Sequence, residues 1–341
     1  MSETALIVIQ PGEIEQLSDE EIAAWKLEAA LTTITLDVLD SEHSRRAYRR
    51  ALNEFWEWHR GQGRPALQKA VVQRYAAELK KPKVDEFGMD EPGMTAANIN
   101  QRLSAIRRMA KEASEAGLVD QKQAESIAAV EGISASGSSV GIWLSLEEAQ
   151  SFLDAIDHTS LAGKRDRALI AMFLSSGLRR SEMASLTLEH LGQVENRWVI
   201  LGIVGKRNKT RDVPIAAWAK SAVDVWCLAA GISRGIIFRP VNKSDRVGGK
   251  SLSPEGIRKL IDRQINLTRP ILAEQGIKLP DGLAAHDLRR SFAQLARKGG
   301  VPLEQIQFAL GHQSVATTEK YLGGKQDMVN APCDSLGLNM K

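Results

Sequence analysis

Ten residues near the middle of the chain, Gly132 to Gly141, hold three glycines and four serines and no apolar periodicity. Such a stretch supplies no face to a hydrophobic core and reads as a flexible connector. The 341 residues must then bury two cores, one on each side of it, and both flanks are long enough to do so. Five segments are expected: an acidic N-terminal arm at 1–42, a helical domain at 43–131, a linker at 132–142, a second domain at 143–325 and a tail at 326–341.

Charge is divided along the same lines. Residues 1–42 carry ten acidic side chains and one basic one, residues 43–140 sixteen basic against twelve acidic, and the remainder twenty-eight basic against twenty acidic. The overall +3 thus conceals two basic blocks behind an acidic start, the distribution of a body that faces nucleic acid. No apolar run approaches the roughly 18 residues of a membrane span, and Met1 to Gln10 lacks a basic n-region. Cys227 and Cys333 are too far apart for metal-ligand spacing and too few for a disulfide framework. These features point to a cytoplasmic protein with no membrane partner.

The first half is patterned for helices. Ser18 and Glu21 form a capping box ahead of Ile22, Trp25 and Ala29. Tyr48, Leu52 and Phe55 line one face of a helix from Ser44 to His59, flanked by Arg45, Arg46, Arg49 and Arg50. A third helix is expected over 67–79, then a loop over 81–93 with two prolines and two glycines. A fourth, over 95–116, buries Ile99, Leu103 and Ile106 and leaves Arg102, Arg107, Arg108 and Lys111 outside. Two arginine-rich helices in one module point to contacts with the phosphates or grooves of DNA.

The second half mixes elements. Ser145 and Glu148 form another capping box, and a helix over 166–175 leads to a turn at Ser176–Arg179. Trp198–Val204 and Asp212–Ile215 read as strands joined by a lysine-rich turn. Beyond Ser253 the pattern is helical, with Pro302 opening one helix and Gly311 closing it. The fold class expected is mainly α with a small β-sheet.

Four short segments of this half carry chemistry: Gly177-Leu178-Arg179-Arg180-Ser181-Glu182; Gly205-Lys206 through Arg211 with Val213-Pro214; His286-Asp287-Leu288-Arg289; and Leu310-Gly311-His312 leading to Tyr321. Together, in this order and spacing, they resemble the tyrosine recombinase/phage integrase family, loosely its Cre recombinase subgroup through Ser41-Glu42-His43-Ser44 and the chain length. The resemblance implies a two-domain C-shaped clamp, an all-helical core-binding domain with a mixed α+β catalytic domain. It implies double-stranded DNA with a specific inverted-repeat site as partner, and a homotetramer on two such sites. Carried over one at a time, the catalytic set is Arg179, Lys206, His286, Arg289, His312 and Tyr321. His286 is then the candidate base and His312 a phosphate contact, with no cofactor and no metal.

The residues support that chemistry on their own terms. Attack on a phosphodiester builds charge on two non-bridging oxygens, which guanidiniums meet with paired donors and a permanent charge. His286 and Arg289, three apart, share a helix face. A lysine on a turn can protonate a departing 5′ oxygen; Lys209 and Arg207 rival Lys206, and the spacing to Pro214 favours Lys206. Glu182 is expected to orient Arg179. Tyr48 and Tyr75 lie on apolar faces and read as core, as His43, His59, His158 and His190 read as structural. A type IB topoisomerase, a catalytically silent regulator on the same scaffold and an arm-binding integrase stand as competing readings. The separate helical domain, the complete residue set and the acidic start argue against them in turn.

Overall fold

A computed structural model describes residues 18–84, 88, 90–134, 141–205 and 209–323. The chain divides into two compact units, residues 1–137 and 138–341.

Among its described residues the first unit holds five helices: α1 (Asp19–Asp37), α2 (Glu42–Gly61), α3 (Lys69–Lys80), α4 (Ala96–Glu115) and α5 (Gln121–Ala128). α4 is its centre and touches the other four. Ile99, Leu103, Ile106 and Met109 of α4 meet Leu52 and Phe55 of α2, Val72 and Tyr75 of α3 and Ile127 of α5. The segment read as a loop at 81–93 contains a small hairpin, β1 (Lys83–Val84) paired antiparallel with β2 (Asp90–Glu91). α5 escaped the sequence reading because eight residues show only two turns of periodicity.

α1, inside the acidic segment, starts at the expected capping box of Ser18 and Glu21 and packs on α4 and α2. Its buried Thr32 accepts from the Trp56 indole at 3.0 Å. Glu28, 5% exposed at its side chain, pairs with Arg60 at 2.6 Å and Arg64 at 3.5 Å, and Arg60 lies 4.0 Å over the Trp25 ring. An acidic stretch becomes part of a core here because its one buried carboxylate meets two cations of the next helix and loop.

The second unit runs α6 (Leu146–Ala155), α7 (Leu161–Ser176), α8 (Arg180–Ala184), β3 (Leu191–Val194), β4 (Arg197–Val204), β5 (Thr210–Pro214), α9 (Ala217–Ala229), α10 (Pro254–Glu274), α11 (Ala285–Lys298), α12 (Leu303–Leu310) and α13 (Val315–Leu322). The sheet is antiparallel in the order β3-β4-β5. Glu195 and Asn196, both at positive φ, make the tight turn between β3 and β4, whose twist suits a two-residue hairpin. β3 was not foreseen: Leu-Gly-Gln-Val is too short to show alternation. α7 is buried on nearly every side against α9 and α11, its Phe173 sharing a core with Phe152, Trp226 and Phe238. Its one buried acid, Asp166, is held by Arg165 at 2.7 Å and by Gln264 at 2.6 Å.

Removing the carboxylate of Glu28 would strand two partly buried guanidiniums, a loss of about 2–4 kcal/mol. The exposed Lys81–Glu78 pair should cost under roughly 0.5 kcal/mol. Denaturant unfolding of Glu28→Ala and Glu78→Ala checks the contrast; equal midpoints would refute it.

Candidate active site

α11 carries the first part of the site. A two-residue step off its N-terminus places His286, and one further turn places Arg289, so both project from one face. The Arg289 guanidinium is buried, 2% exposed, and donates to two backbone carbonyls, Gly177 at 2.5 Å and Leu310 at 2.6 Å. Those acceptors sit at the ends of α7 and α12, where terminal carbonyls lack helical partners. Gly177 is needed there twice over. Its φ is +58°, and a Cβ would meet the Phe292 ring at 2.4 Å. Burial lowers the Arg289 guanidinium to about 10, with Arg179 adding to the effect, and it stays charged at neutral pH.

Arg179 stands at the N-cap of the five-residue α8. Its backbone N–H donates to Glu182 Oε2 at 2.8 Å and its Nη1 to Glu182 Oε1 at 2.9 Å. Arg211 on β5 grips the same carboxylate through both Nη atoms, at 3.0 and 2.9 Å, and donates from Nε to the Ala309 carbonyl. Glu182 therefore orients two arginines. Burial works to raise its carboxyl, but the bonds from Arg211 and Arg179 prevail and hold it at about 2.

Tyr321 lies near the end of α13. Its hydroxyl is 3.4 Å from His286 Nε2, and its ring meets both histidine rings edge-on, with centroids 5.8 Å from His286 and 5.3 Å from His312. Burial raises the phenol above its ordinary range, while Arg289 and Arg290 pull it back. Burial and the same two arginines lower His286, which leaves it neutral and able to accept a proton near pH 7.

His312 follows α12 in the turn before α13. Arg289 can only donate, so at 3.5 Å from Nη2 the His312 Nε2 is the acceptor. The proton then sits on Nδ1, which donates to the buried Thr318 hydroxyl at 3.0 Å. Burial, then Arg289, Arg179 and Arg211, lower His312 to about 4. A cleft of about 490 Å³ adjoins the site, lined among others by Arg179, Lys209, Arg211, Gln307 and His312. A cavity of similar size, about 470 Å³, lies elsewhere in this unit between α6, α7 and α9.

Of the expected catalytic set, Arg179, His286, Arg289, His312 and Tyr321 come together around one space; Lys206 lies outside the described residues. Arg211 and Thr318 were not singled out from sequence. Arg211 sits in the lysine-rich segment, and its carboxylate partner, 29 residues earlier, has no local signature.

The arginines of the first unit divide more sharply than their periodicity implies. Arg46, Arg50 and Lys111 are exposed, and Arg45, Arg49, Arg107 and Arg108 are partly so. Arg102 does not lie on the outside: it is buried, paired with Glu54 at 2.6 Å and donating to the Asn98 carbonyl. Its Cα stands at the edge of the apolar face, and a carboxylate of α2 draws the guanidinium inward. Arg107 likewise turns to the Val130 carbonyl, while Arg50 and Arg108 pair with Glu54 and Glu112.

Residues 143–326 match the model of the Phage integrase family, more than half of the chain. The chain belongs to that family. Residues 35–117 of this integrase-family protein also match the phage integrase N-terminal SAM-like domain. Tyrosine recombinase XerC of Pseudomonas putida (strain W619) is 27% identical over 281 residues, covering 82% of this chain and 85% of the relative. XerC of Xylella fastidiosa (strain 9a5c) is 28% identical over 308 residues, 90% and 92% of the two chains. Among solved structures, the XerH site-specific recombinase bound to its difH substrate in a pre-cleavage complex shares the fold. Its TM-score is 0.60 at 19% identity, over 93% of this chain and 84% of that one.

Because the Glu182 carboxyl is held near 2 against an ordinary 4.5, its contribution to stability is complete above about pH 4.5 and fades as pH falls toward 2. That contribution is on the order of 3 kcal/mol. Thermal unfolding of wild type and Glu182→Gln should converge over that acid window. A constant gap between them would mean that the arginines do not hold the carboxylate.

Proposed function

We propose that this integrase-family protein is a site-specific DNA recombinase that cuts and rejoins strands through Tyr321, without metal or ATP. The observation that carries the reading is the convergence of one phenol, two histidines and the guanidiniums of Arg179 and Arg289 from four separate elements onto one space. In the cleavage step the Tyr321 oxygen attacks the phosphorus as its proton passes to His286. A phosphorus–tyrosine oxygen bond forms and the bond to the 5′ oxygen breaks. The 5′ oxygen takes a proton from Lys206, leaving a 3′-phosphotyrosyl link and a free 5′ hydroxyl. The diester is conserved in the covalent intermediate, so the reverse attack by a 5′ hydroxyl rejoins a strand without an external energy source.

Arg179 and Arg289 answer the charge on the non-bridging oxygens, each at a fixed position before substrate arrives. His312 hydrogen-bonds the same phosphate from Nε2 in its other tautomer, with Nδ1 then accepting from the Thr318 hydroxyl. In this reading residues 43–131 form the core-binding domain and 143–325 the catalytic domain, joined at 132–142, and each contacts the duplex. Four protomers bring two inverted-repeat sites together. The exposed Arg46, Arg50 and Lys111 are phosphate contacts. Arg45, Arg107 and Arg108 reach the duplex only by leaving their present partners, Arg49 has a buried Nε with no hydrogen-bond partner, and Arg102 supports the surface from beneath. Of the acidic segment 1–42, α1 packs on the arginine-bearing α2 and α4 and so belongs to the same unit as the DNA-facing arginines. The tail at 326–341, with Leu336, Leu338 and Met340, lies outside the described residues.

The test is to incubate the protein with fragmented DNA of its source genome, denature, and sequence what stays covalently attached. Wild type should enrich one inverted repeat and Tyr321→Phe nothing; adducts scattered without a preferred site would favour a topoisomerase instead. On the recovered site, Arg179→Ala and Arg289→Ala should slow cleavage by about 100- to 1000-fold. A 5′-bridging sulfur substrate, whose leaving group needs no proton, should rescue Lys206→Ala and leave Lys209→Ala without a defect to rescue. The opposite pattern would transfer the acid role to Lys209.

A further inference from the structure

Arg290 follows Arg289 on α11, and nothing in the catalytic scheme uses it. It is largely buried, 19% exposed at its side chain, with its nearest carboxylate, Asp287, at a long 3.7 Å. Its Nε is buried without a hydrogen-bond partner. A cation so placed is costly unless something else compensates it, and the compensation present is aromatic: the guanidinium carbon lies 5.0 Å from the centroid of the Tyr321 ring, over its face. That is within cation–π range.

The other side of the guanidinium rests on backbone. Any Cβ at Gly141 would overlap it. From there the chain runs along α11: the Leu144 N–H donates to Ser291 at 2.8 Å, and Lys298 lies 4.4 Å over the Trp143 ring. The three contacts fasten the segment 141–144 to the helix that carries His286 and Arg289.

We propose that Arg290 is a positioning residue for Tyr321, held over the phenol ring by the backbone at Gly141 and keeping that ring edge-on to His286 and His312. The proposal rests on Tyr321 being the nucleophile of the recombinase reading. Its physical content is separable. The groups facing the phenol are His286, Asp287, Arg289 and Arg290 of α11 and His312 of the turn before α13. Of these, Arg289 and Arg290 favour the phenolate, whereas Asp287 and burial oppose it. Loss of Arg290 should therefore make the phenol harder to ionise as well as freer to turn.

The test is an absorbance titration of the tyrosines in the full chain. There are three, Tyr48, Tyr75 and Tyr321; burial pushes Tyr75 up to about 12, and subtracting the Tyr321→Phe curve isolates the third. In Arg290→Met the Tyr321 phenolate at a fixed pH should fall roughly fivefold, and in Arg290→Lys by less. Gly141→Ala, which displaces the guanidinium, should move the curve the same way and add nothing in the Arg290→Met background. The pH profile of covalent trapping should shift to alkaline values in parallel. An unchanged curve in Arg290→Met overturns the proposal, and a Gly141→Ala effect that persists undiminished in Arg290→Met overturns the role of the backbone. Should Arg290→Met not fold, Arg290→Gln keeps the length and polarity without the charge and is read in the same way. The titration uses no DNA, so its outcome stands apart from whether the chain recombines anything.

Discussion

A single buried carboxylate ties the catalytic unit together. Glu182 accepts from Arg179 at the start of α8 and from both arms of Arg211 on β5, and Arg211 in turn reaches the last turn of α12. A helix start, a strand and a helix end thus share one anion. Without it the guanidiniums of Arg179, Arg211 and Arg289 would face one another across a poorly hydrated space, where like charges a few ångströms apart repel by several kcal/mol at an effective dielectric near ~20. The carboxylate cancels part of that repulsion and fixes direction as well as charge. Arg179 is left partly exposed, at 35% of its side chain, with donors to offer.

Arg289 is organised on a different plan. Among the described residues no carboxylate pairs with it; its bonds go to the carbonyls of Gly177, 112 residues earlier, and Leu310. Backbone acceptors hold a cation without neutralising it, and its positive field reaches His312, His286 and Tyr321. Arg179 and Arg289 thus differ in kind, one balanced by an acid and the other held by dipoles. Burial lowers both histidines first; His312 is then lowered by both arginines, and His286 by Arg289 and Arg290.

Much of this was legible in the sequence, and what was not has a common cause. Helices α1 to α4 of the first unit, the capping boxes at Ser18 and Ser145 and the order of the catalytic segments follow from spacing within a few residues. β3 and α5 were missed because they are shorter than their own periodicity needs. Arg211 and Thr318 were missed because their meaning lies in partners brought near by folding. Arg102 shows the converse. A helical wheel puts it at the polar margin, but the wheel knows nothing of Glu54, 48 residues away on another helix, and a long side chain at a margin goes wherever its counter-ion is.

The burial of Arg289 has a consequence for how this unit can evolve. Its guanidinium is stripped of water when the chain folds, before any duplex is present, so the energetic burden of the site falls on the native state and not on each turnover. Replacing such a cation with a well-packed apolar side chain is often neutral or favourable for stability. Drift toward a sturdier but inert protein is therefore open at this position, and only selection for the reaction holds the arginine there.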